Sequence, residues 1–97
     1  MGLAFDTISV NHIVPPFYNM VDQGLLDKPL FSFKIGSDPD GGEAVFGGID
    51  ENAYKGTINY VPVRRHAYWE VELEKITFGH ETLDVDNTGA AIDTGKY

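Results

Sequence analysis

Tyr68-Trp69-Glu70-Val71-Glu72-Leu73-Glu74-Lys75-Ile76-Thr77-Phe78 is the most regular stretch of this 97-residue sequence. Trp69, Val71 and Leu73 alternate with Tyr68, Glu70, Glu72 and Glu74. A spacing of two sends successive side chains to opposite faces of an extended backbone, so the pattern predicts a strand. The apolar face, continued by Lys75, is expected to be buried, and the face of Glu70, Glu72 and Glu74 to be acidic and wet.

Outward from this strand the sequence reads mostly as short strands divided by turn residues. Gly79-His80-Glu81-Thr82 reads as a turn, Leu83-Asp84-Val85 as a short strand, and Ala90-Ala91-Ile92 as an apolar lead into Asp93-Thr94-Gly95. Upstream, 30–35 is rich in aromatic and branched residues, the cluster 37–42 is turn-like, and 43–46 resumes as a strand, together a hairpin that Gly47-Gly48 ends. Tyr54-Lys55-Gly56 reads as a turn leading to a further strand over 57–63, with Pro62 placing it at a sheet edge. One helix is expected, over 16–23. Pro15 and Pro16 suit a first turn where a missing N–H costs nothing, Phe17, Met20, Val21 and Leu25 fall at helical spacing, and Gly24 is a natural stop. The class is mostly β with one short helix.

Composition narrows the partners. Seven Lys and Arg stand against 15 Asp and Glu, a net charge of -8, which repels a polyanion and argues against nucleic acid. The basic cluster Arg64-Arg65-His66 reads as a solvated turn. No apolar run is long enough to span a membrane. No secretory leader is visible at the start, and Asp6 stands where a myristoylation signal needs Ser or Thr. Cysteine is absent, so neither disulfides nor thiolate metal sites can reinforce a chain this short. A lone chain of about 100 residues buries only about 60–65% of its unfolded surface. The sequence pI of about 4.5 suits work or storage in acid.

Few groups suggest chemistry. His12, His66 and His80 have no metal-ligand spacing. Asp84-Val85-Asp86-Asn87-Thr88-Gly89 opens like a calcium loop, but the twelfth position is Gly95 where the bidentate Glu should stand. The glycine pairs lack the Lys-Ser/Thr of a phosphate cradle. Neither metal nor cofactor is expected. Asp93-Thr94-Gly95 after a short apolar strand is the sharpest signal. Alone, the tripeptide more often marks a turn.

Its context is more specific. In order, the chain carries Gly2-Leu3-Ala4-Phe5, Ile8-Ser9, Pro16-Phe17, Asp22-Gln23-Gly24-Leu25, Phe31-Ser32-Phe33, Phe46-Gly47-Gly48-Ile49-Asp50, Tyr54-Lys55-Gly56, Pro62-Val63, Tyr68-Trp69-Glu70-Val71 and Ala91-Ile92-Asp93-Thr94-Gly95. This series, over 2–95, resembles the middle of a pepsin-type aspartic endopeptidase. Phe5-Asp6-Thr7-Ile8-Ser9-Val10 and 63–71 are most similar to the fungal vacuolar members of that family. The resemblance implies a partial pepsin-like fold within 1–97: about 1–63 the end of the N-terminal lobe and the inter-lobe sheet, about 64–97 the start of the C-terminal lobe. It also implies a vacuolar or secreted location and, in an intact enzyme, peptide or protein substrates. Asp93 would be the catalytic aspartate of the second lobe, Thr94 would brace its loop against the other lobe, and Gly95 would let substrate backbone come close. Tyr68 would line the leaving-group side of the cleft.

Acid peptide hydrolysis of this type needs two facing carboxylates, because like charges at close range cannot both ionise and the pair divides into acid and base; the aspartic proteases are the familiar instance of that rule. Only one Asp-Thr-Gly is present. Lys96-Tyr97 follows it where the family carries small hydroxyl residues, so the outer carboxylate oxygen loses an expected donor. The expectation is a truncated homologue, inactive by itself. Two alternatives stand beside it. In one, two copies each lend an Asp93; in the other, the chain is a binding or regulatory piece that docks on a protease through exposed strand edges.

Overall fold

The computed structural model describes residues 2–37 and 41–95, which fall into two compact units, Pro16–Asn59 and Gly2–Pro15 joined with the chain from Tyr60 onward. Met1, Lys96, Tyr97 and the centre of the expected 37–42 turn lie outside the described residues.

In the first unit the expected helix forms as α1, Pro16–Asp22. It ends as its sequence dictates. Gly24 takes a left-handed φ of 69°, its N–H donates to Val21 O at 3.0 Å and Leu25 N–H donates to Met20 O at 3.1 Å. This pair of bonds satisfies two of the last carbonyls, and only a residue without a Cβ adopts the turn freely. Phe17, Met20 and Val21 are half-buried as the spacing requires, but Leu25 is exposed and Leu26 is half-buried instead. The left-handed cap reverses the chain, so the helical period no longer applies there.

The hairpin β1 (Phe31–Lys34) and β2 (Glu43–Phe46) pairs antiparallel with Phe31 opposite Phe46. Phe17 closes on this pair, its ring 5.0 Å from Phe31 edge-on and 6.4 Å from Phe46. Helix and hairpin meet through three aromatic rings. Gly47, with φ of 88°, ends β2 and donates its N–H to Leu30 O at 2.8 Å. A 3-10 turn at Glu51–Ala53 follows, capped by Asp50, whose Oδ1 accepts from Asn52 N–H at 3.0 Å. The strand expected over 57–63 is not formed. Pro62 supplies no donor, Tyr60 and Val61 are exposed, and no neighbouring strand among the described residues offers the ladder that makes an extended segment a strand.

The second unit is an antiparallel sheet in the order β3-β4-β5, with β3 at Arg65–His66, β4 at Trp69–Phe78 and β5 at Glu81–Ala91. The strand read first is β4. Its neighbour β5 is much longer than the three residues expected, because Asp84–Gly89 does not loop out but continues the strand through a bulge. Glu70–Leu73 pair with Ala91–Thr88, whereas Lys75–Phe78 pair with Asp84–Glu81. One residue of β4 therefore faces three of β5 between the two blocks. Asn87, at φ of 59°, sits in this bulge. The bulge adds two residues and so preserves faces across it. The apolar stripe changes sides because the apolar positions of β4 pass from odd to even numbers, with Trp69, Val71 and Leu73 on one face and Ile76, Phe78 and the paired Leu83 on the other.

No apolar residue among those described is fully buried. The accessible surface totals 8319 Å², whereas two separate globules of half the mass each would expose only about 6,600 Å². Hydrophobic faces built by the pattern thus stay partly open. Phe78 is 85% exposed at the hairpin tip.

Candidate active site

Asp93 leaves the end of β5 under control of β4. Ile92 N–H donates to Trp69 O at 2.9 Å, the final ladder bond before the aspartate. Trp69 is itself tethered: its Nε1 donates to Leu3 O at 2.7 Å and its ring packs on Phe5, centroids 4.6 Å apart. Phe5 N–H in turn donates to Ala67 O at 3.0 Å, and Thr7 Oγ1 to His66 O at 2.7 Å. The chain's first residues therefore brace the β3–β4 turn.

At the site itself, Asp93, Thr94 and Gly95 form one exposed loop. Asp93 Oδ1 accepts from Gly95 N–H at 3.0 Å, the side chain closing a turn on its own backbone two residues on. This fixes the carboxylate relative to Gly95 and charges the loop with one acceptor group. Tyr68 stands in the turn between β3 and β4, 58% exposed; it adjoins the Asp93 segment through the next residue, Trp69. Lys96 and Tyr97, expected to alter the surroundings of Asp93, lie outside the described residues.

The one buried residue of the described chain is Glu70, at 8% exposure. The expectation of a wet acidic face therefore fails at its first member, and the reason is the basic cluster read as a solvated turn. Arg65 Nη2 donates to Glu70 Oε1 at 2.8 Å and Arg64 Nε lies 3.7 Å from Oε2. Arg64 N–H also donates to Glu70 O at 2.7 Å, and Arg64 Nη2 to Asn87 O at 2.9 Å. On the other side the Glu70 side chain lies over Gly89, where a Cβ would overlap it. The carboxylate is thus desolvated but doubly paired, the condition under which a buried charge is tolerated. The hydrogen bond and charge of Glu70 raise the Arg65 pKa above its usual range. A sequence signal for this pair existed. Arg65 and Glu70 flank the two-residue turn Ala67-Tyr68 and so fall opposite each other across a hairpin.

Among the described residues no cluster of three or more His, Asp or Glu could hold a metal, and no helix is long and apolar enough to cross a membrane.

A β sheet delivering Asp-Thr-Gly into a tight loop after an apolar strand end defines a class, and comparison identifies it. Residues 1–97 match the family described as Eukaryotic aspartyl protease; the chain belongs to that family. It is 57% identical over 99 residues to the vacuolar aspartic protease of Candida albicans, covering 98% of this chain and 24% of that protein. It is 53% identical over 98 residues to vacuolar protease A of Aspergillus fumigatus, covering 98% and 25%. Cathepsin D of Homo sapiens is 41% identical over 99 residues, with 98% and 24% covered. The chain spans about a quarter of the length of these relatives.

Proposed function

We propose that the chain supplies the second-lobe aspartate of an acid endopeptidase and does not cleave peptides by itself. The observation that carries this reading is Asp93 at the head of an Asp-Thr-Gly turn, in a chain with no second such tripeptide. The reaction attacks a peptide carbonyl with water that one carboxylate activates while its partner, protonated, polarises the carbonyl oxygen. A solitary carboxylate has no neighbour to divide those roles with. Thr94 would brace the loop, Gly95 would let substrate backbone approach, and Tyr68 would border the leaving-group side. About 1–63 would belong to the end of the first lobe and the inter-lobe sheet, and 64–97 to the start of the second. The vacuolar names of the fungal relatives support a vacuolar location for the intact enzyme, with peptides or proteins as substrates.

Two experiments test this. The isolated chain is assayed for acid proteolysis with and without a transition-state inhibitor of the class; no inhibitor-sensitive cleavage is expected. The chain is also exchanged for its counterpart in the Candida albicans relative. That chimera should cleave, and Asp93→Asn within it should abolish cleavage. Robust cleavage by the lone chain, or an active Asp93→Asn chimera, overturns the reading. If the lone chain cleaves and sediments as a dimer, two copies each supply an Asp93.

A second reading draws on the open apolar faces and the outer edge of β5, which pairs with no other strand among the described residues. Unpaired edges accept an added strand. In this reading the chain docks on a protease and regulates it. Inhibition of a full-length relative by the added chain would favour it; absence of both inhibition and complex formation would remove it.

A further inference from the structure

The path from the sheet to Asp93 passes a point of ambiguity. β5 contains a bulge of unequal count, one residue of β4 against three of β5, between Leu73 opposite Thr88 and Lys75 opposite Asp84. Every residue from Thr88 to Ile92 takes its register from how many residues that bulge holds. If the bulge held one extra residue of β5 instead of two, each following side chain would exchange faces, and Asp93 would be presented on the wrong side or one step out of place. Gly89, Ala90 and Ala91 offer little to resist such a slip, since small side chains specify register weakly.

The Glu70 cluster sits across this segment. Glu70 is opposite Ala91, two residues before Asp93. Its side chain covers Gly89, the only residue type that leaves room for it there. Arg64 connects both ends: it contacts the Glu70 carboxylate at 3.7 Å and donates to the bulge carbonyl of Asn87 at 2.9 Å. Arg65 closes the clamp at 2.8 Å. A slip of β5 would move Gly89 away from the carboxylate and Asn87 O away from Arg64 at once.

We propose that Glu70, held by Arg64 and Arg65 over Gly89, is a register pin that positions Asp93. Glu70 is a positioning residue: it touches neither substrate nor reacting atoms and acts through β5. That role rests on the reading of Asp93 as one of a catalytic pair. The pin itself is tested without any activity.

The test follows backbone amides of the 97-residue chain by NMR. Because Gly95 N–H donates to Asp93 Oδ1, its resonance should differ between the chain and Asp93→Asn, in which a neutral amide replaces the carboxylate. In the Glu70→Gln background that Gly95 difference should fall by half or more, and exchange of the Ile92 amide should quicken at least tenfold. Amides of the tip block, such as those of Ile76 and Leu83, should keep their wild-type exchange. Arg65→Gln, altered at the exposed end of the clamp, should give a smaller change of the same pattern and serves if Glu70→Gln fails to fold. Glu72→Gln, on the same face, should change nothing. Unaltered Ile92 and Gly95 signals in both clamp variants overturn the proposal. Uniform loosening of β4 and β5 overturns it too, since that describes a merely structural ion pair. If instead the pin behaves as expected but Asp93→Asn leaves the chimera active, the catalytic reading fails and the register pin stands.

Discussion

Gly89→Ala puts the packing under the pin to a direct trial. An added Cβ would lie 2.6 Å from the Glu70 carboxyl carbon and 2.7 Å from its Cγ, where carbon atoms rest at about 3.5–4.0 Å. The Glu70 side chain must therefore retreat by about 0.9 Å. That is enough to carry its 2.8 Å bond to Arg65 beyond hydrogen-bonding range, given that such bonds weaken past about 3.2 Å. Cγ is near the backbone, so the side chain cannot simply swing its tip aside. Overpacking of this kind costs about 1–3 kcal/mol, and replacing a strand glycine returns about 0.5–1 kcal/mol. The net is a loss of about 1 kcal/mol. Gly89 does not have a positive φ, so alanine is acceptable to the backbone and the clash is the whole of the penalty. In a Glu70→Ala background the same substitution should stabilise by about 0.5 kcal/mol. The assay is amide exchange at Arg64 and Ile92, whose N–H groups bond across the sheet, in the four chains of a double-mutant cycle. A coupling of about 1.5 kcal/mol, roughly tenfold in exchange, is expected; additivity within about 0.5 kcal/mol would refute the packing argument.

Other positions answer to different terms. Asn87 holds a left-handed φ of 59° in the bulge, so Asn87→Gly should leave Thr88 amide exchange within about 0.5 kcal/mol of wild type while Asn87→Val costs about 1–2 kcal/mol. Gly24→Ala, at the left-handed cap of α1, should cost about 1 kcal/mol, seen as faster exchange of the Leu25 amide. Phe31→Ala should loosen the first unit by about 2–3 kcal/mol, below the full core value because the ring is half-buried, read from the Gly47 amide that bonds Leu30 O. For pH, the Arg65 pKa is raised by Glu70. Its contribution is therefore complete below the unfolded-state value and is lost only as pH climbs through the higher folded one. Exchange at Arg65, corrected for its intrinsic rate, should show no transition from this group between roughly pH 5 and 10.

The sequence made α1, the first hairpin and β4 readable because each is specified locally. Helical spacing with a glycine cap, two aromatic runs around a turn cluster, and strict alternation each state their structure within about ten residues. The strand expected over 57–63 failed for a non-local reason, since a segment with strand composition becomes a strand only if something pairs with it. The length of β5 was hidden likewise. Asp84-Val85-Asp86-Asn87-Thr88-Gly89 has turn composition, and it is β4, with Arg64 holding Asn87 O, that draws it into the sheet. The tight loop of Asp93, Thr94 and Gly95 was legible because that motif is short and contiguous. Glu70 was misread because alternation assigns a face but not what covers it. The two arginines turned a wet face into a buried charge.

These two kinds of information meet at Asp93. If Asp93 serves as proposed, a chemistry that depends on two carboxylates in contact tolerates little error in where each is delivered, since displacement by one residue along a strand is about 3.3 Å, longer than the hydrogen bond that would join the pair. The motif supplies the carboxylate and its turn, but nothing within Asp93-Thr94-Gly95 can set the phase of the strand that carries it. That phase is decided upstream, where β5 has two residues more than its partner strand and small side chains that would accept either register. A polar cluster that is satisfied in one alignment alone is the physical means of choosing. It is on that ground, rather than for net stability, that a buried Glu between two arginines belongs in a sheet with so little buried apolar surface.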